Sequence, residues 1–362
     1  MKVCILLGTR PEIIKMAPLI RACEDRDIDY YILHTGQHYS YEMDKKICDE
    51  LEIPIPKYNL KVGGQSYRKQ VGMMIREIMQ VLEKDTPDII FVQGDTNSVL
   101  AGALAANKLG IPIGHHEAGL RSHDTTMLEE TNRIITDHIA DFLFAPTKDA
   151  LKNLRDEGLA ENKIHYTGNT VVDAVQQNLK LANKKKDILK DIGVEKGNYV
   201  LVTAHRAENV DNIDKLNGIF DGLILLEQYL KLPIVYPIHP RTRKKVEEYK
   251  IDVPENIKLI EPVGYLEFLQ LEGHAKLIVT DSGGIQEEAC ILQVPCVTIR
   301  ENTERPETLT SGANILAGTE PKKILNACQE ILKKKNKWEN PFGDGHAGDR
   351  ILRAWLKNAN TD

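Results

Sequence analysis

The sequence predicts an α/β protein of two doubly wound, parallel-sheet domains, and three observations carry that expectation. Short β-branched runs alternate with longer amphipathic runs from end to end. The short runs are almost continuously apolar, as strands buried on both faces of a parallel sheet must be. The 362 residues are too many for one compact core, and the polar, Lys-rich stretch Lys180–Lys196 separates one complete α/β set from a second.

Composition narrows the function classes. Hydrophobic residues make up 42% and charged residues 28%, the balance of a soluble globular protein. A net charge of −6 provides no global basic field, so nucleic acid is not an expected partner. No run of eighteen apolar residues is present, so no membrane span is expected. The short apolar stretch after Met1 reads as a first strand, because a signal peptide needs a longer one and a small-residue cleavage site. The six cysteines, at 4, 23, 48, 290, 296 and 328, form no C-x-x-C pair and lie in apolar patterns, which suits a reduced, cytoplasmic compartment.

Ligands of open α/β sheets sit beyond the carboxyl ends of the strands, so each strand is followed to its end. Strand Val3–Leu7 runs into Gly8-Thr9-Arg10-Pro11-Glu12 and a helix over Pro11–Asp25, where Pro suits the first turn. Arg10 and, one turn on, Lys15 can pair with phosphate or carboxylate. Strand Tyr30–Leu33 leads to His34-Thr35-Gly36-Gln37-His38-Tyr39, a ligand loop or an ordinary turn. A helix over Gln65–Lys84 precedes strand Ile89–Val92. After that strand comes Gln93-Gly94-Asp95-Thr96, in which Asp95 fits a helix N-cap. Strand Ile111–Gly114 ends in His115-His116-Glu117. Neighbouring residues on a strand face opposite ways, so the two histidines cannot easily share a metal ion, and Glu117 is the better acid or base. Glu129 opens a helix reading to Ala140, where a Glu ordinarily offsets the helix dipole.

The second half repeats the pattern. His205 and Arg206 follow strand Val200–Thr203, and His239 takes the matching place after Ile234–Pro237. Strand Leu277–Thr280 leads into Asp281-Ser282-Gly283-Gly284 and a helix over Ile285–Leu292. Two glycines let a backbone approach a ligand, and the open N–H groups of a helix start favour phosphate. A close-packed corner is the structural alternative. After strand Cys296–Ile299 comes the charged run Arg300–Glu307. The residues alone describe a crevice for an anionic, phosphorylated ligand, with carboxylates on one side and His, Arg and a Gly-rich helix start on the other.

Taken together the motifs resemble the non-hydrolysing UDP-N-acetylglucosamine 2-epimerases. The resemblance rests on Gly8-Thr9-Arg10-Pro11-Glu12, Gly94-Asp95-Thr96 and His116-Glu117-Ala118-Gly119-Leu120-Arg121 in the first half. Glu129-Glu130-Thr131-Asn132-Arg133, Thr167-Gly168-Asn169-Thr170, Thr280–Glu288 and Thr303-Glu304-Arg305-Pro306-Glu307 continue it, in order, to about residue 350. It implies a glycosyltransferase-B-like fold: two Rossmann-like domains, 1–168 and 169–345, facing a central cleft, with a C-terminal helix over 346–362 crossing back to the first. The implied reaction interconverts UDP-GlcNAc and UDP-ManNAc by anti elimination of UDP to 2-acetamidoglucal and readdition, with no cofactor and no metal.

By the same resemblance Asp95, Glu117, Glu129 and His205 are catalytic. Arg10, Lys15, Phe268, Ser282, Gly283, Gly284, Glu288 and Arg305 bind the substrate, with Phe268 on uracil and Glu288 on the ribose hydroxyls. Gln37, Arg206 and His239 match part of a site for a second, activating UDP-GlcNAc, although Ser40 stands where a Gln is usual. The segment before Glu129 is shorter than the bacterial stretch and lacks its Pro. A homodimer is the expected assembly. The rival expectations are a hydrolysing epimerase releasing ManNAc and UDP, a UDP-sugar glycosyltransferase of the same fold, and a catalytically silent UDP-sugar sensor.

Overall fold

A computed structural model describes residues 1–37, 41–63, 67–124, 126–334 and 337–359. His38, Tyr39 and Ser40 of the loop after the second strand lie outside the described residues, as do Thr125 and the expected helix start at Gln65. The chain forms two compact units, Met1–Gln177 with Phe342–Asp362, and Asn178–Pro341.

The first unit begins β1 (Lys2–Leu7), α1 (Arg10–Glu24), β2 (Asp29–His34), α2 (Tyr41–Glu50), β3 (Tyr58–Asn59), α3 (Tyr67–Lys84) and β4 (Ile89–Gln93). It continues α4 (Asn97–Leu109), β5 (Ile113–His116), α5 (Leu128–Ile139), β6 (Phe142–Ala145), α6 (Lys148–Asp156), β7 (Ile164–Tyr166) and α7 (Thr170–Ala182), whose residues from Asn178 on belong to the second unit. All strand pairs are parallel, in the order β3-β2-β1-β4-β5-β6-β7. Val3, Cys4, Ile5, Leu7 and Ile89–Val92 are fully buried, which explains their unbroken apolar runs. Each such side chain stabilises the fold by about 1.5–3 kcal/mol before entropy is counted.

The second unit holds α8 (Ile188–Ile192), β8 (Val200–Thr203), α9 (Ala207–Val210), α10 (Ile213–Leu230), β9 (Ile234–Pro237), α11 (Pro240–Tyr249) and β10 (Ile257–Ile260). It ends α12 (Tyr265–His274), β11 (Leu277–Thr280), α13 (Gly283–Ile291), β12 (Cys296–Thr298), α14 (Pro306–Thr310), β13 (Asn314–Leu316) and α15 (Pro321–Lys333). Its sheet is again parallel, in the order β10-β9-β8-β11-β12-β13.

The last helix, α16 (Ala347–Ala359), belongs to the first unit. Its apolar face, Ile351, Leu352 and Trp355, is buried, and Trp355 meets Phe91 edge-on at 6.2 Å. Asp173 on α7 starts the helix by accepting the amides of Ala347 at 3.1 Å and Gly348 at 2.9 Å. Gly348 is required there, since a Cβ would lie 2.9 Å from the Pro18 backbone of α1.

Three elements depart from the sequence expectation. β5 starts at Ile113, not Ile111, because α4 ends on the left-handed Gly110 and the Ile111 amide turns back to the Ala106 carbonyl at 3.0 Å. That delay places His115 and His116 within the strand and Glu117 immediately beyond it. β3, two residues at a sheet edge, is too short to give a periodic signal. α13 starts at Gly283, so both glycines lie in its first turn and not ahead of it.

Candidate functional site

In each unit the chain reverses its order across the sheet at one place, and ligands of such sheets bind there, beyond the carboxyl ends of the strands. In the first unit that place lies between β1 and β4, flanked by residues 8–10 and 94–96.

Glu12 ties these two loops together. It is buried, accepts from the amides of Gly8 at 2.5 Å and Thr9 at 2.8 Å, and takes the Thr96 hydroxyl at 2.6 Å on its other oxygen. Burial pushes its carboxyl up to about 7 against those three hydrogen bonds. Arg10, the first residue of α1, is exposed beside this hub. The N-cap of α4 is Thr96, whose hydroxyl takes the Val99 amide at 3.4 Å, so the N-cap reading of Asp95 is corrected. Freed from that task, the Asp95 carboxylate pairs with Arg133 of α5, and its carbonyl accepts from Asn132 at 2.9 Å.

Glu117 sits in the left-handed region, at φ 65°. A non-glycine residue there stores roughly 1–3 kcal/mol of strain, which the surroundings must outweigh. Three donors hold its buried carboxylate: Lys15 Nζ at 2.6 Å, Gln93 Nε2 at 2.5 Å and Asn169 Nδ2 at 3.1 Å. Beneath it, Asp137 is fully buried and accepts from His115 Nδ1 at 2.6 Å, Arg121 at 2.7 Å and the Gly119 amide at 3.1 Å. His115 Nε2 lies 2.8 Å from the Gly94 carbonyl, so both ring nitrogens face acceptors and the ring links Asp137 to the turn after β4. One buried carboxylate thus fixes the turns that carry both Asp95 and Glu117.

His116 contacts Thr170 at 3.3 Å, and its Nδ1 is buried with no partner among the described residues. Burial, helped by Lys15 and His115 and opposed by Glu117, drives it from 6.5 down to about 4. Between those values the unfolded chain binds the proton and the folded one does not, so the contribution of His116 to stability rises with pH across that window, against the opposite trend from Glu12. This group's share is about 3 kcal/mol. Urea unfolding from pH 4 to 6.5 should show the stability of the wild type climbing relative to that of His116→Asn, in which the Glu12 trend is unchanged. Equal slopes for the two proteins would refute the neutral, buried imidazole.

The remaining first-unit residues are less enclosed. Glu129 is exposed in the first turn of α5 and makes no side-chain hydrogen bond among the described residues. The buried member of that pair is Glu130, which accepts from the Ser122 amide at 3.0 Å, the His123 amide at 2.9 Å and Arg133 at 2.7 Å. Gln37 is anchored to α4 by the Ser98 amide at 3.1 Å and the Ser98 hydroxyl at 2.7 Å.

In the second unit the reversal lies between β8 and β11. Asp281 is its fixed point: fully buried, with Oδ2 accepting from the amides of His205 and Arg206 at 2.9 Å each and from Asn209 at 3.2 Å. His205 Nδ1 lies 3.1 Å from the other oxygen, so the ring is oriented from below while its side chain stays 43% exposed. Burial opposes the Asp281 charge, yet these partners hold its carboxyl below the usual range. The His239 ring lies 5.8 Å from that of His205, and its Nδ1 caps α11 by accepting the Arg241 amide at 3.2 Å. Burial first, then His205 and Arg241, lower the His239 value.

Ser282 is the N-cap of α13 without a side-chain cap bond. A Cβ on Gly284 would meet nothing within 4 Å, and one on Gly283 only Glu304 Oε2 at 3.8 Å. Neighbouring chain therefore does not require glycine here, which argues against the close-packed corner. Phe268 is half-buried on α12, and Glu288, also half-buried, lies within 3.4 Å of the Tyr265 hydroxyl. Arg305 Nε is 2.8 Å from buried Glu287, and Arg206 is 3.6 Å from Glu304. Glu304 also binds Arg300, which overcomes burial and holds its carboxyl down at about 2.

Sequence reasoning missed the supports: Gln93, Asn169, Asp137, Arg133 and Asp281. All but Asp137 stand inside a quoted motif, but only three-dimensional neighbours reveal what each holds.

Two doubly wound parallel sheets, each with charged and glycine-bearing loops at its reversal point, define an α/β nucleotide-binding enzyme class. A family model described as UDP-N-acetylglucosamine 2-epimerase matches residues 21–356, and the chain belongs to that family. It is 54% identical over 359 residues to UDP-N-acetylglucosamine 2-epimerase of Methanocaldococcus jannaschii, covering 98% of each chain. The enzyme of that name from Methanococcus maripaludis is 54% identical over 357 residues, 97% of each. A solved M. jannaschii UDP-GlcNAc 2-epimerase, in complex with UDP-GlcNAc and UDP, superposes with a TM-score of 0.87 at 53% identity, over 99% of this chain and 100% of that one. The α/β, glycosyltransferase-B-like fold class expected from the sequence holds.

Proposed function

We propose that this protein interconverts UDP-GlcNAc and UDP-ManNAc without hydrolysis. The observation that carries this reading is 54% identity, end to end, with an archaeal enzyme of that name. The carboxylates at the strand ends of the first unit suit the chemistry. A base takes the weakly acidic C2 proton while the anomeric C–O bond breaks. UDP departs with the bonding pair, and C1=C2 forms in 2-acetamidoglucal. Protonation of C2 on the opposite face and return of UDP to C1 complete the inversion.

Asp95, Glu117 and Glu129 are assigned the proton transfers, with His205 as a further catalytic or phosphate-contacting group. Arg10, Lys15 and the amides of Ser282–Gly284 are assigned the charge that grows on departing UDP. Phe268 packs on uracil, Glu288 takes the ribose hydroxyls, and Arg305 joins the nucleotide contacts. Gln37, Arg206 and His239 are assigned to a second, activating UDP-GlcNAc. No cofactor and no metal enter this scheme.

Incubation with UDP-GlcNAc followed by ion-exchange chromatography tests the reading. UDP-ManNAc should accumulate to an equilibrium mixture with UDP-GlcNAc. Release of free ManNAc with stoichiometric UDP would instead identify a hydrolysing enzyme, and transfer to an added sugar acceptor a glycosyltransferase. We also infer a homodimer working in the cytoplasm, where the six buried, free thiols stay reduced. Light scattering that returns the mass of one chain would remove the dimer.

A further inference from the structure

Glu272 is a fully buried carboxyl on α12 that the proposed reaction does not use. Neither of its oxygens meets an N–H or O–H donor among the described residues. The polar group it faces is the carboxyl of Glu288, on α13. Two carboxylates side by side can bond only if one of them holds a proton, and away from water both cannot be ionised. Burial, and then Glu288 itself, raise Glu272 well above the ordinary carboxyl range, so the deeper member keeps the proton. The other ionisable groups around it, Tyr199, Tyr265 and Cys296, are likewise raised by burial and add no positive charge.

A neutral acid contributes one O–H, and Glu288 is the neighbouring carboxylate that could accept it. On the same carboxylate, the Tyr265 hydroxyl lies 3.4 Å from Oε1. Two groups from α12 thus aim one half-exposed side chain of α13, on the helix whose open N-terminus starts at Gly283. A carboxylate so held keeps its remaining lone pairs for hydroxyl donors.

We propose that Glu272 is a positioning residue for nucleotide binding: as a neutral acid it donates to Glu288 and holds that carboxylate toward the ribose hydroxyls. The proposal rests on the assignment of Glu288 to the ribose.

The test measures UDP affinity by titration calorimetry, and kcat and KM for UDP-GlcNAc, in Glu272→Met and Glu272→Gln. The Met variant keeps the volume and removes the donor; the Gln variant restores one through Nε2. Glu272→Met should weaken UDP and raise KM about tenfold while kcat stays within about threefold, as expected for one lost hydrogen bond to a charged group. Glu272→Gln should return both to within about twofold of wild type. With 2′-deoxy-UDP the Met variant should lose less, because one ribose hydroxyl is already gone.

A folded Met variant with wild-type UDP affinity, a Gln variant as weak as the Met variant, or equal losses with both nucleotides would each overturn the proposal. Should Glu272→Met not fold, the Gln variant decides alone. Wild-type affinity, divided by that of Glu272→Gln, should fall as pH rises and Glu272 loses its proton, and a constant ratio contradicts the proposal. Failure of the underlying assignment reads differently, since Glu288→Gln would then leave UDP affinity unchanged.

Discussion

Glu117→Gln should lower kcat at least about a hundredfold, the ordinary contribution of a positioned acid or base, with UDP affinity nearly unchanged. The amide keeps the shape of the side chain but cannot take a proton. The site around it is already built for an acceptor, with Lys15, Gln93 and Asn169 all donating to the carboxylate. Asp95→Asn should behave alike, because Asp95 is not the α4 cap and its replacement leaves that helix start intact. Steady-state turnover and UDP calorimetry on the two variants check this. Turnover near wild type in either would reduce that residue to a partner of Lys15 or Arg133. A proportional loss of UDP binding would instead point to collapse of the loop.

Asp137→Ala should cost about 3–5 kcal/mol of stability, the price of leaving one member of a buried ion pair alone. The Arg121 side chain is only 2% exposed, and although Glu157 also binds it, removal of Asp137 leaves His115 and the Gly119 amide without their acceptor. Because these partners hold the Asp137 carboxyl below its usual range against burial, its contribution is full above the unfolded carboxyl value. That contribution fades as acid protonates it. Urea unfolding of wild type and variant at neutral pH gives the difference directly. A loss under about 1 kcal/mol would mean that water or a local rearrangement replaces the carboxylate, and Asp137 would not be the support argued here.

Much of the architecture was legible because parallel strands buried on both faces leave unbroken apolar runs, as in Ile89 to Val92 and Leu277 to Val279. The site was legible as a set of strand-end residues, since topology alone sends ligands there. What escaped was whatever depends on partners far along the chain. Nothing local says that Asp281 holds the amides after β8, 75 residues away, or that Asn169 reaches Glu117 across 52. The start of β5 was misplaced because a Schellman-type turn at Gly110 takes the Ile111 amide, and apolar pattern does not record where an amide goes. The two adjacent glutamates at 129 and 130 look alike in sequence. Only burial separates the exposed one from the one that fastens the preceding loop.

The claim at the centre is that a side chain of this protein removes the proton from C2. Conversion of UDP-GlcNAc in D2O, read by proton NMR, tests it most directly. The account predicts that UDP-ManNAc appears with deuterium at C2 from the first turnover. Product that keeps protium at C2 would contradict it.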